Sequence, residues 1–372
     1  MSRLPAHGGQ LLAVATRFGV AAAELTDFSA NINPDGPPAA LLAGLREAVE
    51  ELSLLTSYPD LEELGLREAV AGVVSLPMEC CVVANGFVPL LAAAVQALGV
   101  RRCLLTVPAF SEYRRALEQA GAEVVVLRLS GDDLFRYNSD AIVRAAEEAG
   151  CDTVLLANPQ NPSGVLAAAG LMRSLVEQAE QIGLRVLVDE AFIDYAPEES
   201  IASAVQVARN LVVFRSVTKF FAVPGLRVAF AVSHAAWAEE IRQRLAPWAI
   251  TTLAARALMA GLANEEFASA SRKRNQRRRA ELEAALRGLG FWVCSGAANF
   301  LLFRVPNGES LWERMITQHR IVLRSCANYE GLDATYYRAA VRSEAENRQL
   351  IEALACECPG AALRLAAARV CR

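Results

Sequence analysis

Histidine is scarce in this chain: His7, His234 and His319 are the only three among 372 residues. That leaves too little for a histidine-rich metal centre, and no metal is expected. No apolar run reaches transmembrane length, so no membrane association is expected. The N-terminus carries Arg3, His7 and Arg17 but lacks a continuous apolar core with a small-residue cleavage site, and no signal peptide is expected. Positive charge is not in surplus either. The net charge of -4 gives no reason to expect nucleic acid or an anionic membrane as partner. Internal repeats and low-complexity linkers are also missing.

What is present is apolar bulk. At 53% hydrophobic residues the chain can bury a large core, in one or two domains. Of nine cysteines, Cys80, Cys81, Cys103, Cys151 and Cys294 sit in apolar runs and read as buried free thiols of a reducing cytoplasm. Cys356, Cys358 and Cys371 near the C-terminus form a weak metal motif that the same bland reading outweighs.

Short apolar runs at 80–84, 103–107, 123–129, 153–157, 184–188, 211–214 and 228–232 alternate with longer helical stretches. This pattern predicts an α/β layer with a seven-stranded, mainly parallel sheet covered on both faces. Helices are expected over 38–52, 61–75, 235–260 with a break at Pro247, and 344–356. Strands at 291–293, 298–305, 321–323 and 336–342 predict a smaller α+β unit. The expected division is an N-terminal arm at 1–45, a large domain at 46–240 and a small domain at 241–372. The basic run Arg272–Arg279 reads as the solvated face of a long helix rather than a nucleic-acid contact, since nothing else in the chain is basic.

In such a layer, ligands sit at the carboxyl ends of the strands. The loops there are rich in chemistry: Asn85-Gly86-Phe87-Val88, Pro108-Ala109-Phe110, Asn158 to Gly164, Asp189-Glu190-Ala191-Phe192, and Arg215 to Arg227. The last holds one lysine, Lys219, among small and apolar residues. Desolvation there lowers an amine's pKa and favours its use as a nucleophile. Ser216 and Arg227 flank it and are suited to hold a phosphate. Two further loops, His7-Gly8-Gly9 and Ser29 to Pro34, have the density of glycine, asparagine and proline that suits close approach to a ligand.

The order Asn161, Asp189, Lys219, Arg227 resembles the aspartate-aminotransferase-like superfamily, fold-type I enzymes that use pyridoxal phosphate, over nearly the whole chain. The stretches His7-Gly8-Gly9, Ser29–Pro34, Asp189–Asp194 and Arg324–Tyr329 with Gly331-Leu332-Asp333 are most similar to the threonine-phosphate decarboxylases of cobalamin biosynthesis, relatives of histidinol-phosphate aminotransferase. The resemblance implies pyridoxal phosphate on Lys219, with Asp189 on the pyridine nitrogen and Asn161 on the ring hydroxyl. Phe110 and Ala191 would cover the two ring faces. Ser216, Arg227 and the N–H groups of Gly86 and Phe87 would take the phosphate. It implies Arg342 on the substrate carboxylate with Asn31 beside it, and His7, Gly9 and Arg324 around a substrate phosphate. It implies Tyr58 reaching the cofactor phosphate of a neighbouring subunit, hence a homodimer with shared sites.

Two positions bear on the chemistry. Phe192 stands where aminotransferases of the group usually carry tyrosine, as in the decarboxylases. The loop Phe87-Val88-Pro89-Leu90 lacks the side-chain hydroxyls usual in the phosphate cup. The expected reaction is decarboxylation of O-phospho-L-threonine or O-phospho-L-serine. A histidinol-phosphate-type aminotransferase is the alternative. A pyridoxal-phosphate-sensing regulator is disfavoured, because only about 35 residues precede the enzyme pattern and leave no room for a DNA-binding domain.

Overall fold

The computed structural model describes residue 5 and residues 7–358. Cys371 of the C-terminal motif lies outside the described residues. In chain order the strands are β1 (Thr26–Asp27), β2 (Cys81–Ala84), β3 (Arg102–Val107), β4 (Glu123–Arg128), β5 (Thr153–Ala157), β6 (Arg185–Asp189), β7 (Leu211–Ser216), β8 (Ala229–Ser233), β9 (Trp292–Cys294), β10 (Phe300–Arg304), β11 (Ile321–Val322), β12 (Arg324–Ser325) and β13 (Tyr336–Ala340).

The large sheet has the order β2-β8-β7-β6-β5-β3-β4. Only β8 runs against its neighbours; the remaining pairings are parallel. Strands β2, β5, β7 and β8 are buried at every residue, which is why they read as unbroken apolar runs. The edge strand β4 differs: its charged ends, Glu123 and Arg128, are exposed and discourage pairing with another chain. One core lies on each face. Leu104, Val154, Val186 and Val213 pack on one side, and Leu105, Leu155, Leu187 and Phe214 on the other.

The smaller sheet has the order β12-β13-β10-β9, all antiparallel. Its own core gathers Phe28, Leu301, Phe303, Trp312 and Tyr337. The predicted strand at 321–323 is the two-residue β11, which pairs β1, and a further short strand, β12, follows it and pairs β13. The helical stretch 235–260 is two helices, Ala235–Arg242 and Thr252–Gly261, with Trp248 between them at φ 54°.

The basic run lies on the helix Glu265–Gly288. It is not simply a solvated face. Arg274 and Arg278 both bond Asp35 (2.8 and 2.7 Å), and Arg277 and Arg278 pair with Glu344. The run ties the N-terminal loop to the start of the final helix, Glu344–Glu357.

Candidate active site

The carboxyl ends of β2, β5, β6 and β7 open onto one cavity of ≈ 270 Å³. It brings together His7, Asn31, Gly86, Phe87, Phe110, Asn161, Asp189, Ala191, Ser216, Lys219, Arg227 and Arg324, all of which the sequence singles out.

Lys219 follows directly from β7, on the single turn Val217–Phe220. It is half-buried and lines the cavity. Burial pulls its amine down to about 8, and the nearby charges of Arg338 and Arg227 act the same way. The chain has one other lysine, the exposed Lys273. Asp189 ends β6 and is buried. Burial raises its carboxyl to about 6, against the pull of Tyr113, the Ala191 N–H and Lys219. The Tyr113 hydroxyl donates to Oδ2 at 2.5 Å and the Ala191 N–H to Oδ1 at 2.9 Å. Both oxygens are thus fixed while the carboxylate still faces the cavity.

Gly86 precedes the helix Phe87–Ala97 at φ 92°. A Cβ there would stand 3.0 Å from Arg227 Nη2, so glycine lets the guanidinium lie against the backbone. The Ser216 hydroxyl is 2.8 Å from that of Thr218, which also lines the cavity. Backbone donors at a helix start, two hydroxyls and one arginine form an anion cradle. Thr218 went unnoticed in the sequence, yet it restores a hydroxyl that the 87–90 loop lacks. That loop is apolar for a packing reason: the Phe87 ring lies 5.6 Å from Tyr113 and 5.5 Å from Phe214.

The N-terminal loops close the other side. A Cβ on Gly8 would collide with the Ser29 carbonyl at 2.0 Å. Only glycine lets these two loops touch. Gly9 itself does not line the cavity; its N–H donates to Ser29 Oγ at 2.9 Å. His7 pairs with Glu112 at 3.0 Å, beside Phe110. Asn33 donates its N–H to the Lys219 carbonyl (3.0 Å) and its side-chain amide to that of Phe220 (2.9 Å). Among the described residues the buried Asn31 Oδ1 has no hydrogen-bond partner.

Arg342, expected at the substrate carboxylate, does not line the cavity. Its guanidinium is held by Glu346 and by the Asp27 carbonyl at 2.9 Å. Ser343 and Glu346 form a capping box at the start of the last helix, and the pair Arg342–Glu346 spans i,i+4. Arg338, on β13, faces the cavity instead. It donates to Asn161 Oδ1 and to the Ser29 carbonyl (3.0 Å). Among the described residues no carboxylate lies within ion-pair distance of it, and its Nε has no partner. Tyr329, also missed, brings its hydroxyl within 3.4 Å of both Asn161 Oδ1 and Arg338 Nη1. Tyr58 lies on the surface, 82% exposed, with its ring 5.0 Å from that of Trp248.

A lysine whose amine is lowered by burial, a buried carboxylate and an anion cradle lining one cavity define the class: an enzyme built around pyridoxal phosphate. Residues 23–354 match the family "Aminotransferase class I and II", and the chain belongs to it. The chain is 35% identical to the threonine-phosphate decarboxylase of Salmonella typhimurium over 94% of its own length and 95% of that protein's. The crystal structure of the L-threonine-O-3-phosphate decarboxylase from Porphyromonas gingivalis aligns at TM-score 0.76 and 26% identity, covering 88% of this chain and 97% of that one. The histidinol-phosphate aminotransferase from Clostridium acetobutylicum aligns at TM-score 0.81 and 27% identity, with the same coverage. The cofactor fits the residues present: the cradle at Gly86 and Arg227, which a Cβ would crowd, suits its phosphate, and Lys219 and Asp189 line the same cavity as the amine and carboxylate it needs.

Proposed function

We propose that this enzyme decarboxylates O-phospho-L-threonine, or its close variant O-phospho-L-serine, to 1-amino-2-propanol phosphate or ethanolamine phosphate for cobalamin biosynthesis. The observation that carries this reading is the number of cationic grips around one cavity. Arg227 serves the cofactor phosphate. Arg338, buried without an acidic partner, suits the substrate carboxylate. Arg324 with His7 suits a second, substrate-borne phosphate. For Arg338 the argument is energetic: a buried guanidinium with no carboxylate within ion-pair distance among the described residues is costly unless an anion joins it, and the substrate carboxylate supplies one.

When bound, pyridoxal phosphate supplies the electron sink that accepts the electron pair from a bond broken at the substrate Cα. The residues decide which bond that is. Two grips at opposite ends of a short substrate fix rotation about its Cα–N bond. Arg338, by gripping the carboxylate, would present the bond between Cα and the carboxylate for cleavage, so that the carboxylate would leave as CO2. Lys219 Nζ then returns a proton to Cα. Asp189, fixed by Tyr113, holds the pyridine nitrogen's proton. Asn161, with Oδ1 engaged, has its Nδ2 free to donate to the ring hydroxyl. Phe192 offers no phenol there, as in the decarboxylases.

A homodimer is part of the proposal. Tyr58 lies among exposed apolar side chains, Leu52, Leu55, Leu61 and Trp248, that a second subunit would cover. A cytoplasmic location is in keeping with the described cysteines, all free. The deciding experiment compares CO2 release from O-phospho-L-threonine with 2-oxoglutarate-dependent amino transfer from histidinol phosphate. Amino transfer without CO2 release would replace this reading with the aminotransferase one.

A further inference from the structure

Two arginines of the cavity face each other across a strand pair. Arg324 on β12 stands directly opposite Arg338 on β13, and both are 5% exposed. Cross-strand partners project from the same face, and like charges so placed repel. Burial pulls the Arg324 guanidinium below its ordinary range, and the Arg338 charge adds to that pull.

One side chain is wedged between them. The Arg324 guanidinium lies 5.0 Å over the centre of the Tyr329 ring, while Arg338 Nη1 reaches the hydroxyl of the same residue at 3.4 Å. Tyr329 thus touches both guanidiniums, with its face for one and its oxygen for the other, while other bonds fix their far sides: Arg324 donates to Asn328 Oδ1 (2.8 Å) and the Pro5 carbonyl (3.4 Å), and Arg338 to Asn161 Oδ1 and the Ser29 carbonyl. The wedge is itself anchored. The ring packs with Phe135, Leu302 and Cys326. The neighbouring Glu330 is paired with Arg114 (2.9 Å) and Arg128 (3.5 Å) of the large domain.

We propose that Tyr329 is a specificity-determining spacer, whose ring sets the separation of the two anion grips and so the length of substrate that spans them. Given a phosphorylated amino acid as substrate, as read above, the selected ligands are those with carboxylate and phosphate on a short carbon chain. A substrate one methylene longer would leave one grip unfilled or misaligned.

The test uses the cofactor-loaded dimer and three probes: O-phospho-L-serine, O-phospho-L-threonine and O-phospho-L-homoserine. For wild type, Tyr329→Phe and Tyr329→Leu, both the dissociation constant and CO2 release are measured. Wild type should favour the two shorter probes by roughly tenfold or more, the usual scale for one misplaced methylene. Tyr329→Phe keeps the ring and should keep the preference, with binding weakened about threefold to tenfold by the lost hydroxyl. Tyr329→Leu should bring the ratio to within about threefold, through binding rather than kcat. A wild type indifferent to length, or a Leu variant that keeps the full preference, overturns the spacer. So does a Phe variant that loses the preference, and this arm holds even where the Leu variant does not fold. Length preference in binding that vanishes in the Leu variant, with no CO2 from any probe, leaves the spacer standing and removes the decarboxylase reading instead.

Discussion

Arg338 and Arg342 lie four residues apart and have opposite fates. Arg342 is satisfied by its own neighbourhood: Glu346 one helical turn on, and a backbone carbonyl. Arg338 meets an amide oxygen and a carbonyl but no carboxylate within ion-pair distance among the described residues, and it faces a cavity. A side chain whose charge is already met locally holds the fold together. One whose charge is left partly unmet, at a cost, is available to a ligand. The two lysines differ in burial instead: Lys219 is half-buried at the cavity and Lys273 is exposed to solvent.

The strongest break of this contrast comes from the lysines. Lys219→Ala should abolish turnover, and borohydride reduction should no longer fix pyridoxal phosphate on the protein, although Lys273 remains. A label still present on the variant would move the attachment point elsewhere. The arginines come next. Arg338→Ala should lower kcat/KM for phosphothreonine by roughly a hundredfold or more, the scale of losing a charged contact to a desolvated anion. Arg342→Ala should stay within about threefold and cost about 0.5–1 kcal/mol of stability, as for a partly exposed ion pair. Steady-state kinetics on the pair decides it; a larger catalytic loss at position 342 would restore the reading made from sequence.

Asp189 sharpens the contrast through pH. Its carboxyl is raised from 3.8 to about 6 in the folded, cofactor-free protein. Between these values the folded state keeps a proton that the unfolded chain has lost. Stability therefore falls as pH rises through the window, and the penalty is complete above about 6. Asp189→Asn removes it, and should stabilise the cofactor-free protein at pH 8 by about 3 kcal/mol, but hardly at pH 4. Denaturant melts at the two pH values measure this; an equal effect at both would mean the carboxylate's charge is not what burial opposes. The smallest effect is expected from subunit mixing. Inactive Lys219→Ala chains combined with an inactive Tyr58 variant should regain a fraction of wild-type activity, and a fully active monomer at assay concentration would end the shared-site proposal.

The large sheet was legible because its strands are covered on both faces and therefore leave continuous apolar runs. Asn161, Asp189 and Lys219 were legible because they follow those runs directly, where a parallel sheet puts its ligands. The smaller sheet was harder. Its antiparallel strands are short, and which arginine of β13 and its sequel faces the cavity depends on a register that no apolar run announces. One local signal could have settled it: Ser343-x-x-Glu346 is a capping box, and it assigns Glu346, with Arg342 four residues before it, to the start of a helix. Tyr329 had no comparable signal, because its place is set by partners on Asn161, Arg324 and Arg338, which are distant or in another strand.

The bonds from Asn33 to the Lys219 and Phe220 carbonyls have a mechanical consequence. The segment that carries Asn31 is stitched to the reactive lysine's own turn, and Arg274 and Arg278 hold it again through Asp35. Opening the chamber on this side would have to break four such bonds at once, which sets this wall apart from edges held by fewer.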